Sequence, residues 1–213
     1  MSLRLQPLRL TCPCCRTDFT SSLVIAFDIV SQDQDLCPRY AGPNPMAAML
    51  HLCPRCGFCG YEADYRATHG ETQLQAVRRM LHAIEQPQGS EVSGPERYRR
   101  AALIGVYLAK PCADIAMLYL EATWCSRLDG EPEGSQIRSA RKAIEYFTRA
   151  LKAGEIAEED LGAVHYSVAE LKRQLGHDDE AIAGYEEARS MLHTSERIKA
   201  LCDEQAAKLR HKP

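Results

Sequence analysis

Two pairs of cysteines constrain this chain more than any other feature. Cys12-Pro13-Cys14-Cys15 and Cys53-Pro54-Arg55-Cys56-Gly57 each hold two sulfurs separated by two residues, and 37 residues lie between the pairs. That spacing lets both sulfurs of a pair turn toward one ion while backbone N–H groups point at them. Four thiolates in tetrahedral array form the closed, structural type of zinc site. Proline after the first cysteine fixes the backbone at the start of each turn. Gly57 can take the positive φ that closes the second knuckle. The first knuckle has Arg16 in that place and reads as the weaker of the two. Cys12, Cys15, Cys53 and Cys56 are therefore the candidate metal ligands, with zinc as the expected ion. A rubredoxin-like iron site uses the same spacing, but the first knuckle lacks its glycine. A thioredoxin-like pair would open a helix after a strand, which fits Pro-Arg between cysteines poorly. A catalytic zinc needs three protein ligands and an open position, and the wealth of nearby sulfur favours a closed site.

Seven of the ten cysteines fall between Cys12 and Cys59, while Cys112, Cys125 and Cys202 stand singly in helical patterns. The opening MSLRLQPLRL lacks the apolar core of an export signal, and no apolar run reaches membrane-spanning length. The cysteine pairs thus read as metal ligands in a reduced, cytoplasmic chain rather than as disulfides. Cys14, Cys37 and Cys59 are spare, and His51 sits beside Cys53. They read either as a redox switch or ligand-exchange site, or as small apolar side chains packed under the ribbon. Residues 1–62 carry five arginines, no lysine and five acids. A nucleic-acid-binding ribbon needs an excess of cations to neutralise phosphates, so this balance argues against one.

The two parts of the chain follow different patterns. FTSSLVIAFDIVSQ, 19–32, is β-branched and aromatic, which predicts a strand; CPRYAGPNP, 37–45, predicts a loop. MAAMLHL is strand or helix by periodicity. From residue 71 the pattern is helical. Leu74, Val77, Leu81 and Ile84 form one stripe, QPQGSEVSGP (86–95) is a linker, and six segments of helix length follow. Ser195 is placed to cap the last helix, with Ile198, Leu201, Cys202 and Leu209 on its buried face. Ala143, Ile144, Phe147 and Ala150 recur as Ala181, Ile182, Tyr185 and Ala188, an offset of 38 residues, close to the ~34-residue tetratricopeptide period. The expected fold is α+β, mainly α. A zinc-ribbon-like module spans 1–66, a helix and linker 67–95, and a tetratricopeptide-like helical domain 96–213.

With these parts in place, the chain resembles an uncharacterised bacterial family, domain of unknown function 2225. The resemblance rests on Cys12-Pro13-Cys14-Cys15 with Phe19; Asp33 and Asp35 before Cys37-Pro38-Arg39-Tyr40; and Asn44-Pro45. It continues with Cys53-Pro54-Arg55-Cys56-Gly57-Phe58, Asp64-Tyr65, and the helical AMLYLEATW and YSVAELKRQLGHDDEAI. Cys14 and Cys59 lie outside the family pattern. Cys37 lies inside it, which implies an additional thiol near the metal or a packing thiol that fixes the loop. The family brings no activity. No Ser/His/Asp cluster, phosphate loop or nucleotide motif is visible, and His165, His177 and His193 stand singly. The chain reads as a non-catalytic zinc-binding protein with a helical-repeat surface for a protein or peptide partner. Two alternatives stand beside it. One is a nucleic-acid or ribonucleoprotein factor using Arg39, Arg55 and Arg66 with Tyr40, Phe58, Tyr61 and Tyr65. The other is a metal- or thiol-dependent redox sensor or enzyme.

Overall fold

The structure, a computed structural model, describes residues 3–84 and 92–211. It is a mainly helical α+β fold. Three small antiparallel two-stranded sheets occupy the first 60 residues: β1 (Arg4–Thr11) with β2 (Asp18–Ala26), β3 (Ile29–Gln32) with β4 (Pro38–Tyr40), and β5 (His51–Leu52) with β6 (Cys59–Gly60). Short helices α1 (Met46–Met49) and α2 (Glu62–Arg66) flank the last sheet, and α3 (Glu71–Ala83) follows.

The segment expected as one strand over 19–32 is in fact two. β1 starts at Arg4, which pairs with Ala26, so the chain beyond Ala26 has no partner left in that ribbon. It turns at Phe27–Asp28 and takes a new partner, β4, which lies inside the stretch expected to be loop. MAAMLHL resolves into both of its readings, a helical turn and then β5.

The helical part runs α4 (Gly94–Tyr107), α5 (Cys112–Leu128), α6 (Glu133–Ala153), α7 (Leu161–Gln174), α8 (Asp178–Ser190) and α9 (Glu196–Arg210). Of the linker expected over 86–95, residues 86–91 lie outside the described residues. Its last two, Gly94 and Pro95, already form the first turn of α4, capped by the Ser93 hydroxyl. The Ser195 hydroxyl likewise accepts from the Ile198 amide at 3.3 Å and caps α9. The helices pack in sequence, most extensively α5 on α6 and α7 on α8. The shared alanine-aromatic motif faces inward in both pairs: Ala143, Phe147 and Ala150 of α6, and Ala181, Tyr185 and Ala188 of α8, are buried. Gly184 of α8 lies so close to α7 that an added Cβ would meet the Ala169 methyl at 2.9 Å. Small residues thereby set the approach of the two helices.

One apolar core joins the β region to α3–α6, running from Leu10 and Leu50 through Val77 and Tyr98 to Phe147. A smaller core lies among α7, α8 and α9 around Tyr166 and Tyr185. The bend between β3 and β4 bolts the β region to the helices. Asp35 is buried and takes a two-pronged contact from the Arg127 guanidinium, at 2.7 and 3.0 Å, with Gln174 donating at 3.1 Å. Asp33 pairs with Arg127 at 3.3 Å and Arg39 at 2.7 Å. Gln34 donates to Glu204 of α9 at 2.9 Å.

Candidate metal centre

Each cysteine pair sits at the turn of a hairpin, between β1 and β2 and between β5 and β6. The two turns are built alike. The Cys12 amide donates to Thr17 O at 2.9 Å and the Arg16 amide to Cys12 O at 2.9 Å; the Cys53 amide donates to Phe58 O at 2.8 Å and the Gly57 amide to Cys53 O at 3.0 Å. The closing residue is left-handed in both, with φ 74° at Gly57 and φ 61° at Arg16. The first knuckle is therefore not geometrically weaker. It adopts the same turn with a non-glycine residue.

The four sulfurs of Cys12, Cys15, Cys53 and Cys56 all lie within 4.8 Å of one another. Cys12 and Cys56 are 3.6 Å apart, as are Cys15 and Cys53. A tetrahedron of thiolates at ~2.3 Å from a central ion has edges of about 3.8 Å, so the spacing suits one ion. Backbone amides already serve the sulfurs: Cys15 N–H to Cys12, Arg55 and Cys56 N–H to Cys53, and Phe58 N–H to Cys56. Four thiols this close cannot all ionise unaided. Hydrogen bonds from Cys12, Cys14 and Cys53 hold the Cys56 thiol far below its ordinary range, whereas bonding to Cys53 and Cys56 drives Cys12 far above it. A bound divalent cation would let all four become thiolates together. The donor set thus fits a metal ion.

The sequence profile of the family described as "Uncharacterized protein conserved in bacteria (DUF2225)" matches residues 6–209. The chain belongs to this family. Searches of curated proteins and of solved structures returned no match.

The remaining thiols of this DUF2225 chain are dispersed. Cys14 is buried beside the centre and hydrogen-bonds Cys56, while its carbonyl accepts from the Arg78 guanidinium of α3 at 2.7 Å. Cys59 points the other way, donating to Arg97 O at 3.4 Å; burial pushes its thiol up to about 12. Cys37 lies outside the four-sulfur group, fully buried in the Asp33–Asp35 bend. There burial pushes its thiol up and the Arg127 guanidinium pulls it back down. His51 is buried with Nδ1 2.9 Å from Ser21 Oγ, tying β5 to β2, and burial lowers its pKa.

The aromatic residues after Cys56 connect the knuckle to the helices. Phe58 is fully buried and packs edge-on against Tyr65, whose hydroxyl donates to Phe58 O at 2.7 Å and His51 O at 3.0 Å. Tyr61 donates to Glu121 of α5 at 2.6 Å, and Asp64 pairs with Lys110. Sequence reasoning missed Thr17 (Oγ1 3.2 Å from Cys15 Sγ), Arg78 and Arg127. Arg127 alone had a signal, an arginine in a helix opposite a paired-acid loop, and its partner lies 92 residues away.

Proposed function

We propose that the chain is a non-catalytic zinc protein in which Cys12, Cys15, Cys53 and Cys56 hold one ion and a tetratricopeptide-like helical stack receives a protein or peptide partner. The observation that carries this reading is the four-thiol group itself, four protein ligands whose sulfurs lie within 4.8 Å of one another, with amides already placed on three of them. Such a site stabilises structure rather than activating water. In this reading residues 1–66 are the metal-bearing module, 67–95 the connection and 96–213 the recognition part, in a reducing cytoplasm where ten free thiols persist.

Other observations weigh against the alternatives. Phe58 and Tyr65 are committed to the interior and Tyr61 to Glu121, while Arg39 and Arg66 pair with Asp33 and Glu62. Phe58, Tyr61 and Tyr65 are thus not free to stack on bases, while Arg39, Arg55 and Arg66 stay exposed. His165, His177 and His193 each face a glutamate.

Metal analysis of the purified protein should give one equivalent of zinc and a colourless solution; visible absorption would mean iron. Cys53→Ser should abolish loading, and Cys37→Ala should retain it. Strong chelation should remove the circular-dichroism and thermal signals of the β region, because structural zinc supplies ~10–16 kcal/mol of apparent binding energy in small peptides. An unchanged melting profile after complete metal removal would refute a structural site. For the partner, photo-crosslinking from the exposed Lys142 of α6 in the native cell should give a discrete protein adduct absent at a control position on α9.

A further inference from the structure

α4 and α6 each pack on α5, and their facing stripes wall a groove of about 550 Å³ with Tyr119 of α5 between them. The α4 wall presents Glu96, Arg99, Arg100 and Leu103. The α6 wall presents Arg138, Arg141, Lys142 and Glu145. Arg100 is buried and Arg99 is held by Glu131 at 3.1 Å, so the exposed positive charge of the groove lies on the α6 wall, in a chain whose net charge is −3. Glu96 is taken by Arg99 at 3.0 Å and Glu145 by Lys142 at 2.8 Å, while Arg138 and Arg141 make no ion pair among the described residues. Arg138, Arg141 and Lys142 stand at positions i, i+3 and i+4 of one helix, where like charges repel. Beside them Ser139 is 1% exposed, and its Oγ has no hydrogen-bond partner among the described residues. The Tyr119 ring stacks on Tyr146 at 5.9 Å, which gives the groove a rigid apolar base.

We propose that this groove binds an acidic peptide segment of a partner protein, with carboxylates on Arg138 and Arg141 and an apolar side chain against Tyr119 and Leu103. The proposal deepens the protein-binding reading above and rests on it. Charge complementarity selects the occupant's sign, and the layout selects its class. Each wall spans eight positions, about 10 Å of helix, so the cations are strung along the groove rather than converging on one phosphate. Glu96 and Glu145 stand at the ends of their walls, each paired within its own helix, so the free cations are confined to the turn of Arg138 and Arg141. One turn of free cations beside an apolar base suits discrete carboxylates around a desolvated apolar contact better than a continuous phosphate backbone.

The test uses the full, metal-loaded chain and a fluorescein-labelled dodecapeptide of aspartate and glutamate carrying two leucines, read by fluorescence anisotropy. Saturable, salt-sensitive binding is expected. The double variant Arg138→Glu/Arg141→Glu should weaken it at least about tenfold, since two contacts become repulsive. Both side chains are exposed, so circular dichroism should be unchanged. Lys199→Glu/Lys208→Glu on α9 should bind as the parent does. No binding, or binding indifferent to the α6 reversal, overturns the proposal. Tighter binding of an oligouridylate through the same arginines also overturns it, in favour of single-stranded nucleic acid. If the photo-crosslinked partner stays bound to the Arg138→Glu/Arg141→Glu chain, the groove is wrong while the protein-binding reading stands. If no protein adduct forms at all, that reading fails with it.

Discussion

Arg16 and Gly57 do the same job with different chemistry. Both close a knuckle in the left-handed region, where a Cβ costs about 1–2 kcal/mol and glycine costs nothing sterically. Arg16→Gly should therefore stabilise the zinc-bound protein by roughly 0.5–1 kcal/mol, the relief being offset in part by the greater freedom of glycine in the unfolded chain. Gly57→Ala should cost about 1–2 kcal/mol. Urea unfolding of the loaded variants reads both, and a loss of stability in Arg16→Gly would refute the strain. The ligand spacing was legible because chemistry demands it. The conformation of Arg16 was not, because its own preference runs the other way. The hydrogen bonds around Cys12 impose it, and those form only once the turn exists.

At the scale of elements, periodicity exposed the helices and hid the strands. α3 to α9 are long enough for an apolar stripe to repeat, and Gly130, Gly154 and Gly176 follow three of them with positive φ. β1 escaped notice because Pro7 sits within it, which only an edge of a two-stranded ribbon tolerates. The break at Phe27–Asp28 follows from where β1 runs out, a fact about the partner strand that no local pattern contains. The Asp33–Asp35 bend was read as part of a family pattern, and its role emerges from α5 and α7. With Asp35 buried and Arg127 one-third exposed, Asp35→Ala should cost on the order of 2–3 kcal/mol. Thermal unfolding should show the loss while zinc content stays at one equivalent. Loss of zinc in that variant would mean that the bend supports the metal centre directly.

For the whole molecule, the junction between the β region and the helices carries a titratable load. Burial pushes Glu121 of α5 up to about 7, partly opposed by the Tyr61 hydrogen bond. A carboxyl raised in the folded state binds its proton more tightly there than when unfolded. Its contribution is complete below about pH 4.5 and is lost as pH rises through about 7, at most about 3 kcal/mol. Glu121→Gln should flatten the fall in stability between about pH 4.5 and 7 relative to the parent; parallel pH profiles would show that Glu121 is not the group responsible. The same long reach has a temporal side. Gln34 is held by Glu204, 170 positions later, and Asp35 by Arg127 and Gln174. Contacts of such separation slow folding, and a chain emerging from the ribosome meets them last. The knuckles are translated before the helices, yet the bend between them waits for α9 to be made. A segment made before every helix it leans on is thus among the last to be locked.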